Sequence, residues 1–106
     1  MSKYLLDVSY TLDGFNAVKS GGGSARIAAA KELIESVGGK LESFYFAFGH
    51  SDAYVIAEFP DNESAVAASL AVCAGGGATA RVVVLLTGAE VDAASAKKST
   101  YRPPGT

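Results

Sequence analysis

LESFYFAFGHSDAYVIAEFP, residues 41–60, carries two runs rich in aromatic and β-branched side chains around a polar break, Gly49-His50-Ser51-Asp52. That composition predicts a β-hairpin. Strict alternation puts Glu42, Phe44, Phe46 and Phe48 on one face of the first run, and Leu41, Ser43, Tyr45 and Ala47 on the other. In the second run Val55, Ala57 and Phe59 oppose Tyr54, Ile56 and Glu58. Neither run is apolar on one side only, whereas the strands of a half-solvated antiparallel sheet are. Both faces of the hairpin therefore need cover. Helices of this chain supply one cover, and a partner chain is expected to supply the other.

The 106 residues suit one domain, expected to span 1–106 with residues 97–106 as an extended C-terminal arm. Hydrophobic residues make up 49% and charged residues 19%, an apolar excess that fits surface hidden in an oligomer. The net charge of −2 provides no electrostatic footprint for nucleic acid or an anionic membrane. Cys73 is the only cysteine, so no intrachain disulfide can form and a reducing cytoplasm is the expected location. The N-terminal segment MSKYLLDVSYTLDG lacks the pattern of a signal peptide, and no apolar run reaches the length of a membrane span.

Outward from the hairpin, Lys3 to Tyr10 alternates Tyr4, Leu6, Val8 and Tyr10 against Leu5, Asp7 and Ser9, a strand with one wholly apolar face. Thr11 to Lys19 reads as a loop carrying a short helical turn. After Gly21-Gly22-Gly23, Ser24 is a suitable N-cap for a helix with its stripe at Ile27, Ala30, Ile34 and Val37. Gly38-Gly39 ends it, one of the two in the left-handed conformation. Beyond the hairpin, Asp61 or Asn62 caps a second helix whose stripe is Val66, Leu70 and Cys73. Cys73 is then a small buried hydrophobe in preference to a reactive thiol. Ala78 to Leu86 forms a fourth strand, and Thr87-x-x-Glu90 is a capping box that starts a short third helix.

The order β-α-β-β-α-β plus a C-terminal helix predicts an α+β, ferredoxin-like split βαβ fold with both main helices on one face of an antiparallel sheet. The other face then carries Leu5, Leu41, Tyr45, Tyr54, Ile56, Val83 and Leu85. An apolar patch of that extent is unusual on a monomer. Two such sheets packed face to face make a dimeric α+β barrel.

Four segments add a resemblance: Gly49-x-x-Asp52-x-Tyr54-Val55-Ile56, Gly22-Gly23-Ser24-Ala25-Arg26, Gly38-Gly39-Lys40-Leu41-Glu42-Ser43-Phe44-Tyr45 and Tyr101-Arg102-Pro103-Pro104-Gly105. Together the chain resembles the GYD family, essentially end to end. Gly49 and Asp52 stand for the ends of the Gly-Tyr-Asp triplet, and His50-Ser51 replaces its tyrosine. The resemblance implies the wider group of dimeric α+β barrels, which includes cofactor-free oxygenases, small-molecule isomerases and haem enzymes. It strengthens the fold and leaves the reaction open.

Two sets of residues could carry chemistry. On the mixed face of the sheet Asp7, Tyr45, Glu58 and Arg81 form a polar cluster, with Asp7 and Arg81 the expected ion pair because their strands are neighbours. The cluster serves either as a paired interface rim or as a polar pocket. Near the hairpin turn, Arg26, His50, Asp52 and Tyr54 are the candidate ligand-binding residues, since loops on a rigid sheet concentrate binding groups. The competing account gives Asp52 and His50 to the turn's own backbone and Arg26 to solvent. One histidine and one cysteine far apart make no metal site of normal spacing, and no cofactor is expected. The function expected is a homo-oligomeric small-molecule-binding module. The alternative is a cofactor-free oxygenase or isomerase using Tyr54, Glu58 or His50 as the proton-handling group on a small, partly aromatic metabolite.

Overall fold

Alternation along β1 (Ser2–Tyr10) sets the layers of the molecule: Tyr4, Leu6 and Val8 are buried, and Leu5, Asp7 and Ser9 between them are half-buried. The coordinates are a computed structural model that describes residues 1–105. After β1 come α1 (Leu12–Gly21), α2 (Gly23–Ser36), β2 (Lys40–Phe46), β3 (Ala53–Phe59), α3 (Asn62–Ala74), β4 (Ala78–Leu85) and α4 (Gly88–Ala96). The strands form one sheet in the order β2-β3-β1-β4, antiparallel throughout. This is the α+β, ferredoxin-like arrangement that the element order predicts. On the helix side Phe59 and Ile34 are fully buried, and the Tyr4 ring meets Phe59 edge-on at 5.6 Å. The Tyr4 hydroxyl donates to Asn62 Oδ1 at 2.6 Å, which ties β1 to the first turn of α3.

The segment after β1 is a helix, not the loop the sequence suggests. Thr11 caps α1 by accepting from the Gly14 N–H, and Asp13 and Lys19 occupy the first and last turns, where the dipole favours them. Asp13-Gly14 reads locally as a turn, but Gly14 is needed for a different reason. A Cβ there would lie 1.9 Å from the Gly77 carbonyl oxygen, because the backbone of α1 touches the loop between α3 and β4. Thr11 fastens that contact: its N–H donates to Gly77 O at 3.0 Å and its hydroxyl to Gly76 O at 2.8 Å. Gly22, at φ 84°, then separates α1 from α2, so α2 starts at Gly23 with Gly22 as its cap and not Ser24. At the far end Gly38 takes the expected left-handed conformation, at φ 83°.

Two stripes differ from the periodicity reading. A register shift between Leu41 and Ser43 puts a bulge in β2, so Leu41 joins Phe44 and Phe46 against the core while Tyr45 stays outside. In α3 the face with Val66, Leu70 and Cys73 is solvent-exposed, and the buried positions are Ala65 and Ala68, with Val72 packed beside them. Contact with β4 explains the choice. The Ser69 hydroxyl donates to Ala80 O at 2.8 Å and the Ala80 N–H meets Cys73 Sγ at 3.5 Å. Only small side chains allow α3 to approach the strand backbone so closely.

The outer face of the sheet has no helix over it. Its register rows run Ser43–Ile56–Leu5–Val83 and Tyr45–Tyr54–Asp7–Arg81 from β2 to β4. Tyr45 is 73% exposed there and Val83 44%. Thr87 and Glu90 form the capping box reciprocally, yet α4 buries no residue. Residues 97–105 are exposed, and Thr106 lies outside the described residues.

Replacing Gly14 with alanine is expected to lower stability by about 2 kcal/mol, since neither backbone at the contact can yield easily. Gly88→Ala, with open space around it, is the control and should cost nothing measurable. Urea unfolding midpoints at unchanged m-value test both.

Candidate functional site

Alanine and glycine leave a hole in the helical layer. α2 packs chiefly on β2 and α3 on β4, so the two helices lie toward opposite edges of the sheet. Between them is a cavity of about 380 Å³. Its floor is Leu6, Val8 and Val55 of the central strands with Ala78 and Ala80 of β4. Ala29, Ala30 and Leu33 of α2 form one wall, and Ala71 and Val72 of α3 the other. Gly14, Gly75 and Gly77, where α1 is stapled to the loop after α3, also line it. A volume of this size lies within the range of small-molecule sites, about 300–1,000 Å³.

The polar side chains lining this apolar space are Tyr10, Asp13 and Arg26. Tyr10 ends β1 on the core side and packs edge-on against Phe15 of α1 at 5.8 Å, with Phe46 of β2 at 6.5 Å beyond it. Phe46 in turn stacks on Phe48 at 5.7 Å, and Phe48 reaches that place through a left-handed φ of 53°. Burial raises the pKa of the Tyr10 phenol above its ordinary value; the Arg26 charge opposes that shift and the Asp52 carboxylate adds to it. Tyr4, the other tyrosine on this face, spends its hydroxyl on Asn62. Among the described residues the Tyr10 hydroxyl has no hydrogen-bond partner and the Arg26 guanidinium no ion pair. Arg26 stands in the first turn of α2, where it reinforces the positive end of the dipole.

The structure separates the four residues grouped near the turn by sequence. Arg26 lines the cavity, whereas Tyr54 faces the opposite side of the sheet, directly across from Tyr45 and Asp7. Asp52 serves the backbone: its Oδ2 accepts from the Tyr10 N–H at 2.9 Å, while its own N–H donates to Val8 O at 2.9 Å. His50 is exposed in the turn and does not line the cavity. Ser51 beside it is fully buried, and its hydroxyl has no partner among the described residues.

On the outer face Asp7 and Arg81 are register partners, with guanidinium and carboxylate 3.7 Å apart. Asp7 Oδ1 is buried and has no hydrogen-bond partner among the described residues. Tyr45 and Tyr54 complete that row, so three members of the polar cluster share it. Glu58 sits two residues beyond Ile56 of the next row, opposite Lys3. Lys3 reaches across to Glu42, whose hydrogen bond and negative charge raise the ammonium's pKa. Among the described residues no group of three metal-ligating side chains occurs, and no helix is long and apolar enough to cross a membrane.

Sequence reasoning missed Tyr10 and Asp13. The signal was present for Tyr10, because a tyrosine on an otherwise aliphatic strand face must place its hydroxyl somewhere. A family model described as the GYD domain matches residues 4–95. No curated protein and no solved structure matches the chain.

A half-buried phenol gives a definite pH dependence. Stability present below about pH 10 should fall as pH rises through the raised Tyr10 value, because the unfolded chain releases that proton first. Tyr10→Phe is expected to flatten that alkaline loss. Denaturation midpoints across an alkaline pH series measure it.

Proposed function

The chain is a member of the GYD domain family, and we propose that it works as a homo-oligomeric module that binds a small molecule. The observation that carries this reading is the cavity between α2 and α3, apolar on floor and walls and polar only around Tyr10, Asp13 and Arg26. A concave apolar site with a few convergent polar groups is the usual form of a small-molecule pocket. Chemistry has less support. An oxygenase or isomerase needs a proton-handling group inside the pocket; Tyr54, Glu58 and His50 do not line it, which leaves Tyr10 and Asp13 as the lining groups that could move a proton.

Self-association has separate support. The outer sheet face leaves Tyr45, Tyr54 and Val83 exposed and Leu5, Ile56 and Leu85 half-buried, with no helix over them. Two copies meeting there would bury both apolar rows in the manner of a dimeric α+β barrel. The partner would also bring hydrogen-bond donors near the unsatisfied Asp7 Oδ1. A single free cysteine suits a reducing cytoplasm. The partners proposed are a second copy and a small molecule; neither nucleic acid nor membrane is among them.

Wild-type protein is expected to sediment as a dimer at micromolar concentration, and Ile56→Glu, which places an unpaired charge in the proposed contact, as a monomer or as aggregate. A wild-type monomer under those conditions would remove the assembly half of the proposal and leave the cavity untouched.

A further inference from the structure

We infer that the cavity between α2 and α3 receives a small monocarboxylic acid, its apolar body lying over Leu6, Val8 and Val55 and its carboxylate held by Arg26 and the Tyr10 hydroxyl. The inference rests on the small-molecule reading above and names the class of ligand. Charge and shape select it. The floor and walls offer aliphatic surface and the Phe44 ring, so the ligand's body gains by leaving water. At the polar end a guanidinium without an ion pair and a phenol without a hydrogen-bond partner among the described residues are both donors at neutral pH. The planar guanidinium fork matches a carboxylate through two parallel hydrogen bonds.

Asp13 gives the assignment a second handle. It lines the same cavity and forms no ion pair with Arg26 among the described residues. Its negative charge works against an anionic head group, so removing it must tighten the binding of an acid and leave a neutral ligand alone. The volume of about 380 Å³ stands near the lower end of ligand sites, about 300–1,000 Å³. A single ring or a medium-length chain therefore fits.

Octanoate and octan-1-ol share a body and differ in the head group. Titration of each into full-length protein, by calorimetry and by amide shifts of Ala30 and Val72, tests the inference. Octanoate should bind about tenfold more tightly than octan-1-ol, as one charge-assisted pair implies, with shifts at both amides. Arg26→Gln should remove that preference by weakening octanoate far more than octan-1-ol, and Tyr10→Phe should reduce it. Asp13→Asn should raise octanoate affinity alone. Equal affinities for the two in the wild type, or a preference that survives Arg26→Gln, would overturn the carboxylate assignment while leaving the cavity as a binding site. No binding of either compound would overturn the small-molecule reading as well.

Discussion

A four-stranded sheet has two faces, and this chain carries helices enough for one. Everything else in the molecule adjusts to that constraint. On the covered side the cost of ordering the chain is met by burying Tyr4, Leu6, Val55 and Phe59 beneath α2 and α3. The cover is thin because the buried positions of α3 are Ala65 and Ala68. Small side chains let α3 reach the backbone of β4, where Ser69 and Cys73 satisfy Ala80. They also leave the space between the helices unfilled. The proposed ligand would cover apolar surface that these small side chains leave open.

Much of this architecture was legible in the sequence, and the failures have definite physical causes. The alternation in β1 and β3, the capping box at Thr87 and the glycine stop at Gly38 are local signals, and each appears where the sequence puts it. α1 was missed because Gly14 looks like half of an Asp-Gly turn, whereas its reason for being glycine is the backbone of Gly77, remote in sequence. The stripe of α3 was misplaced because periodicity weighs Val66 and Leu70 above alanine, while close approach to β4 weighs the opposite way. The bulge in β2 reversed Leu41 through a register shift that no periodicity announces. In the candidate site, strand parity already told against one grouping. Tyr54 shares its face with Ile56, away from the helices, so it could not meet Arg26 across the sheet.

The C-terminal region follows another logic. The Cα radius of gyration is 16.7 Å, against about 13 Å for a compact domain of 100 residues. A nine-residue helix is too short to be stable by propensity alone. α4 is nevertheless capped at Thr87, with Val91 half exposed and nothing buried. Val84, on the helix side of β4 opposite Tyr4, and Leu86 beyond that strand are likewise more than half exposed. An arm of this kind gains stability only by lying on another surface, which agrees with the proposed self-association.

The cavity and the proposed dimer face are the two sides of the same central strands. In β1, Leu6, Val8 and Tyr10 turn to the helices, and Leu5, Asp7 and Ser9 turn outward, so each side chain of one site is flanked in sequence by the other. Asp52 pins this arrangement at one end by holding the backbone of both Val8 and Tyr10. A strand fixed in this way cannot shift its cavity residues without shifting the outward ones. The proposed ligand and the proposed partner copy would both touch β1, on its two faces. If either affinity depends on the other, thermodynamic linkage requires the dependence to be equal in both directions.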